Sequence, residues 1–204
     1  MVPGSSLSGG APSKPGAPRL RDVVMQEATL RVATVDDLAA MEILMKDSIR
    51  DLFPAVYTDE QTRSSAEFIG VPDRMLVEDG TFFVIEADDE LIACGGWSRR
   101  DKLYTGSGES ATDARLLDPA TEPARVRAMF VRSDWTRRGL GTMILEASEA
   151  AAAAEGFRSL SLMATEPGVP LYQRYGFTVV DRARVPMPDG CSITCTAMEK
   201  PIAT

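Results

Sequence analysis

Apolar positions recur along this chain in two rhythms. Leu38, Met41, Ile43, Leu44, Met45, Ile49 and Leu52 fall at helical spacing. Thr34 stands ahead of them as an N-cap, with Asp36 and Asp37 in the first turn. Pro54 ends that helix, and a second is predicted over 59–68, after Thr58. Alternating or continuous apolar runs predict strands over 29–33, 81–87, 91–98, 125–131 and 159–163. Asp88-Asp89-Glu90 is the turn of a hairpin between the second and third of these. An Ala-rich run predicts a long helix over 139–155, stopped by Gly156. A short helix over 169–174 and a last antiparallel pair, 177–182 with 191–199, complete the order β-α-α-β-β-β-α-β-α-β-β. The expectation is one α/β (α+β) layer structure with no internal repeat.

Two stretches break the rhythm. Met1 to Pro18 is mostly Gly, Pro, Ser and Ala, which cannot bury enough apolar surface to order itself. It also lacks the apolar core of a secretory leader. A disordered tail is expected over 1–26, followed by one domain over 27–204. Residues 99–123 are polar and too long for an ordinary connection, so an excursion beside a site is expected there.

Composition narrows the chemistry. The 204 residues include 22 Lys+Arg and 30 Asp+Glu, a formal net charge of −8, which argues against a nucleic-acid partner. No apolar run is long enough for a membrane span. Three cysteines, an odd number, point to a reducing, cytoplasmic setting. There is no histidine at all, which excludes Ser-His-Asp and Cys-His machinery and a His-liganded zinc. Cys191 and Cys195 share a strand face, but without further ligands no metal site is expected, and Cys94 fits a core position. Chemistry must run on carboxylates, Tyr, Cys, Ser/Thr, backbone N–H groups or a bound cofactor.

The informative segment is 125–177. A strand ends at Val131, and Arg137-Arg138-Gly139-Leu140-Gly141-Thr142 opens the long helix. A helix N-terminus offers unpaired N–H groups and partial positive charge, and glycines let a ligand approach the backbone. Arg132, Arg137 and Arg138 add a local cationic cluster. The spacing is neither G-x-G-x-x-G, since Ile144 replaces the third glycine, nor a P-loop.

Thr136-Arg137-Arg138-Gly139-Leu140-Gly141 and Leu171-Tyr172-Gln173-Arg174-Tyr175-Gly176-Phe177 together resemble the paired motifs of the Gcn5-related N-acetyltransferase (GNAT) family. The resemblance spans about 27–201. It implies the GNAT fold, a mixed, splayed β-sheet flanked by helices on both faces. It implies transfer of an acetyl group from acetyl-CoA to a primary amine, directly within a ternary complex. A non-catalytic acyl-CoA-binding sensor or scaffold stands as the alternative.

Roles follow from the resemblance. Arg137, Arg138, Gly139, Leu140, Gly141 and Thr142 would hold the pyrophosphate. Met129, Phe130 and Val131 would pair with the pantetheine arm, and a backbone N–H there would polarise the thioester carbonyl. Tyr172 would be the general acid for the departing thiolate.

Three positions depart from the family pattern. Thr136 replaces a Gln or Arg. Glu166-Pro167-Gly168 stands where some members have an Asn. Arg125 occupies the position of a glutamate base, leaving Glu109, Asp113, Glu122, Glu166 and a water relay as unranked alternatives.

For the acceptor, a small-molecule amine or a peptide, Arg125 and Arg127 share a strand face and suggest a carboxylate clamp, with a solvated edge or a salt bridge to the acidic loop as the alternative. Trp97 and Tyr57 fall where the fold borders the acceptor, with core packing and loop anchoring as the alternatives. Pairing into a homodimer, common in this family, is a further expectation.

Overall fold

The computed structural model describes Met1 and residues 28–101 and 115–203. The expected tail and the carboxylates of Glu109 and Asp113 therefore lie outside the described residues.

Among the described residues, seven strands form one sheet: β1 (Thr29–Val32), β2 (Phe82–Ala87), β3 (Glu90–Ser98), β4 (Ala124–Val131), β5 (Ser159–Thr165), β6 (Thr178–Pro186) and β7 (Ser192–Pro201). Their order is β1-β2-β3-β4-β5-β7-β6. Five α-helices accompany them among the described residues: α1 (Leu38–Leu52), α2 (Asp59–Phe68), α3 (Arg74–Glu78), α4 (Leu140–Ala154) and α5 (Val169–Tyr175). Only β4 and β5 run parallel; the other neighbours are antiparallel.

Local chemistry accounts for the element ends. Asp88 and Asp89 both have positive φ (51° and 62°), as a two-residue hairpin turn of the right hand requires. Ahead of α1, the Asp37 carboxylate accepts from the Thr34 N–H at 2.7 Å and from both ends of the Arg31 guanidinium at 2.8 Å. Ahead of α2, Thr58 and Gln61 exchange side-chain-to-backbone bonds in a capping box.

The pleat divides the core between the two faces of the sheet. From β2, Phe82 and Val84 join Met41, Met45 and Ile49 of α1. Phe83 joins Leu145 of α4, and Ile85 joins Ile144. Each such fully buried side chain stabilises the fold by roughly 1.5–3 kcal/mol.

The structure adds α3, which the sequence pattern did not mark: five residues are too short to show a helical period. Its N-cap Asp73 accepts from the Met75 N–H at 3.1 Å. The ends of the polar excursion are held together by Asp101 N–H to Arg115 carbonyl (3.0 Å) and Leu117 N–H to Arg99 carbonyl (2.8 Å). Among the described residues no helix is long and apolar enough to cross a membrane.

Candidate active site

The site begins with a failure of strand pairing. β4 and β5 pair only at Ala124↔Leu160 and Arg125↔Ser161. Beyond that apex the two strands diverge, β4 staying with β3 and β5 with β7. Backbone N–H and C=O groups on the inner edges of the wedge lose their ladder partners, so a ligand with amides of its own is suited to them.

A bulge shapes the β4 side of the wedge. Cys94 faces Phe130 and Gly96 faces Arg127, so two steps of β3 oppose three of β4. Ala128 takes φ 54°, a strained value for a residue with a side chain. The bulge resets the pleat: Phe130 packs on the α1 side, while Met129 and Val131 pack towards α4. On β3, Gly95 makes room for this, since a Cβ there would run into Met129 Sδ; a Cβ on the adjacent Gly96 would instead run into the Thr81 carbonyl oxygen on the β2 side.

At the mouth of the wedge stands the α4 N-terminus. Arg137 (φ 64°) and Gly139 (φ 87°) turn the backbone there. The first helical bond runs from Met143 N–H to the Gly139 carbonyl at 3.0 Å, leaving the amides of Leu140, Gly141 and Thr142 without helical partners. Successive N–H groups around left-handed residues make an anion-binding concavity. Gly141 brings α4 close to α5: a Cβ there would lie 2.7 Å from Leu171 Cδ2.

Tyr172 of α5 closes the wedge from the α4 face. The Gly176-Phe177 turn explains the local motif: Gly176 takes φ 102°, and the Phe177 N–H bonds the Tyr172 carbonyl at 2.9 Å. The Phe177 ring then meets the tyrosine edge-on, centroids 5.8 Å apart. Gly168 seats the other side, since a Cβ there would lie 2.9 Å from Tyr172 Cε2. Burial pushes the phenol pKa well above its ordinary value, so it stays protonated and can donate.

These parts line one cavity of about 500 Å³. Met129, Phe130, Val131, Arg137, Gly139, Leu140, Gly141, Thr142 and Tyr172, all singled out from the sequence, border it. So do Phe53, which the sequence places beside Tyr57 in the loop near the acceptor, Gly168 and Arg174 from the quoted motifs, and two residues that the sequence did not flag, Ser48 of α1 and Thr165 at the end of β5. Ser48 had left a signal, as a hydroxyl on an otherwise apolar helix face; it donates to the Val131 carbonyl at 2.9 Å and pins the end of β4. A second cavity of about 80 Å³ lies deeper in the wedge and shares Phe130, Thr165 and Tyr172 with the first.

Other expected site residues sit elsewhere. Arg138 lies 4.5 Å over the Trp135 ring and donates to the Asp134 carbonyl, outside the cavity lining. Arg132 is neutralised by Glu90 and Asp134 at 2.6 and 2.7 Å. Of the expected arginine cluster, Arg137 lines the cavity.

Trp97 is 1% exposed and packs edge-on to Phe157 in the α4-side core, lining neither cavity. Tyr57 is an anchor: its hydroxyl donates to the Thr194 carbonyl (2.7 Å) and accepts from the Glu166 N–H (2.9 Å).

The arginine pair forms salt bridges. Arg125 bonds Ser161 Oγ at 2.7 Å and Asp101 at 2.9 Å. Arg127 is buried against Asp73 at 2.8 Å. Both guanidinium groups already have acidic partners, so the structure does not present them as an open clamp.

Among the carboxylates, Glu122 is held by Arg115 at 2.6 and 2.7 Å, which brings its pKa down to about 2, and it lines neither cavity. Glu166 lies between Thr165 and Pro167, both on the main cavity, and accepts from Thr196 Oγ1 at 3.1 Å.

Comparison with known proteins agrees with this geometry. Residues 43–177 match the model of the acetyltransferase (GNAT) family. A GCN5-related N-acetyltransferase from Rhodopseudomonas palustris superposes with a TM-score of 0.66 at 20% identity, over 88% of this chain and 98% of that one. PaiA N-acetyltransferase from Thermoplasma acidophilum, solved with coenzyme A, gives 0.61 at 16% identity, over 86% and 99%. YncA from Salmonella typhimurium, solved with acetyl-CoA, gives 0.56 at 16% identity, over 86% and 94%. At these identities the likeness is one of fold.

Proposed function

This chain belongs to the acetyltransferase (GNAT) family, and on that premise we propose that it transfers an acetyl group from acetyl-CoA to a primary amine, directly within a ternary complex. One observation carries the proposal. A single cavity joins an anion cradle at the α4 N-terminus, an unpaired strand edge and a buried, protonated tyrosine.

The residues present fit the co-substrate. Arg137 and the amides of Gly139 to Thr142 suit a pyrophosphate. The free edge of Met129, Phe130 and Val131 suits the two amides of a pantetheine arm. When bound, acetyl-CoA supplies an activated acyl carbon. A backbone N–H at the β4 bulge then faces negative charge developing on the carbonyl oxygen, an effect of several kcal/mol in a dry site. Tyr172 donates its proton towards the leaving sulfur. Direct transfer is supported by Cys195, the one thiol lining either cavity among the described residues. Burial, with Glu166 nearby, pushes its pKa up to about 12, too high for a ready nucleophile.

The acceptor is a small-molecule amine or a peptide. With Arg125 and Arg127 already paired, no carboxylate on the acceptor is required. The second reading, an acyl-CoA-binding sensor, is favoured by one feature: the described lining of the main cavity contains Arg137 and Arg174 but no carboxylate to serve as base.

Calorimetry with acetyl-CoA tests the shared premise, and no heat at millimolar ligand removes both readings. Release of CoA across an amine panel separates them. Tyr172→Phe is expected to lower turnover by about 10²–10⁴ while leaving acetyl-CoA affinity within a few-fold; unchanged turnover would retire the acid role.

A further inference from the structure

The smaller cavity has no role in the scheme above. Its walls are the two diverging strands, with Val126, Ala128 and Phe130 on one side and Leu162 and Met163 on the other. Val185 of β6 and Cys195 of β7 also line it. It shares Phe130, Thr165 and Tyr172 with the main cavity and lies at the inner end of the edge assigned to the pantetheine arm.

We infer that this cavity is an acyl-chain pocket, and that the enzyme takes uncharged acyl groups of three or four carbons at least as well as acetyl. The inference rests on the proposed acyl-CoA reading, because that reading places the thioester beside Tyr172. Room is one argument. About 10–15 Å³ of such space holds one water, so a cavity of about 80 Å³ exceeds what an acetyl methyl fills. Chemistry is the other. Val126, Leu162, Val185 and Cys195 are all buried, and the one charged lining residue, Arg127, is already paired with Asp73 at 2.8 Å. An ammonium acceptor would meet a guanidinium there and no carboxylate in the lining. A carboxylate-tipped acyl chain would have to compete with Asp73. A short hydrocarbon tail faces neither penalty.

Calorimetry on the full chain with CoA, acetyl-, propionyl-, butyryl- and succinyl-CoA decides the matter without knowledge of the acceptor. Each methylene buried contributes roughly fourfold (about 0.8 kcal/mol). Propionyl-CoA is thus expected to bind about 4-fold, and butyryl-CoA about 16-fold, more tightly than acetyl-CoA. Succinyl-CoA should show no such gain. Val185→Phe, which adds bulk to the lining, should abolish the gain and spare acetyl-CoA binding.

Binding of acetyl-CoA with no gain from acetyl to butyryl overturns the pocket alone. An equal gain with succinyl-CoA overturns its apolar character. A gain that survives in a folded Val185→Phe protein places the tail elsewhere. If Val185→Phe does not fold, the wild-type series still decides. Failure of every CoA species to bind overturns both the pocket and the reading beneath it.

Discussion

The Asp73–Arg127 pair offers a sharp test of how the wedge is held. Arg127 Nη1 lies 2.8 Å from Asp73 Oδ2, and the two side chains are 3% and 5% exposed. Asp73 has a second task, since its Oδ1 accepts from the Met75 N–H at 3.1 Å and caps α3. Asp73→Asn separates the two, because Asn caps a helix about as well as Asp. What it removes is the charge, leaving the guanidinium buried without its carboxylate. Breaking a buried pair from one side costs about 3–5 kcal/mol. For a domain of this size that lowers Tm by roughly 6–20 °C. Asp73→Ala loses the cap as well and should cost about 1 kcal/mol more. The double variant Asp73→Asn/Arg127→Met should recover most of the loss, because a buried pair replaced from both sides is often close to neutral. Thermal melts followed by far-UV circular dichroism, with urea unfolding at pH 7, give the full double-mutant cycle. Asp73→Asn within about 1 kcal/mol of wild type, or a double variant no better than the worse single, would refute the argument.

Two further outcomes are expected from groups outside the cavity. Asp37, bonded to Arg31 and Thr34, has its pKa lowered from 3.8 to about 2, so its contribution is present above about pH 4 and is lost as pH falls towards 2. Asp37→Asn should flatten that part of the acid-unfolding curve, and an unchanged acid limb would show that the Arg31 contacts carry little energy. Cys94 and Cys195 are buried with thiol pKa values pushed up to about 12, whereas Cys191 is half-exposed. A disulfide reagent at pH 8 should therefore label one thiol quickly in the native protein and the other two only on unfolding; fast labelling of Cys195 would mean that the inner cavity opens readily to solvent.

Much of the fold was legible because it rests on apolar runs at strand and helix spacing. The β2 run of Phe82 to Ile85 shows both faces buried, and the strand order along the chain followed from runs of this kind. What escaped depended on partners far away in sequence. Arg125 and Arg127 were correctly placed on one strand face, but their acidic partners Asp101 and Asp73 lie 24 and 54 residues earlier. Tyr57 looked like a cleft residue until the Thr194 carbonyl, 137 residues on, claimed its hydroxyl. Trp97 sits beside the glycine pair that faces the bulge, yet its own side chain turns into the core. The bulge itself was only half legible. Glycines inside a strand, as Gly95 and Gly96 are, mark a close backbone approach, whereas Ala128, which takes the strained φ, is a residue type that gives no such warning.

Arg125 shows how the wedge and the missing base belong together. A carboxylate at this position in some relatives would act as a base near the acceptor. Here the position lies in one of the two residue pairs that join β4 to β5. Its guanidinium bonds across that junction to Ser161 Oγ at 2.7 Å and back to Asp101 at the root of the polar excursion. One step further along the same face, Arg127 ties β4 to the cap of α3. The two arginines thus hold β4 to neighbours at the apex and one step beyond it, where β4 is already free of β5. β5 is meanwhile fixed along its whole length by β7, from Ser159↔Pro201 to Thr165↔Cys195. With both strands anchored on their outer sides, closing the gap would break those contacts, so the inner edges stay available to a ligand. A charge used to brace the apex cannot also remove a proton. On the proposed reading the base is therefore sought elsewhere than at Arg125, and Glu166, whose neighbours Thr165 and Pro167 line the main cavity, is one described candidate for a test by substitution.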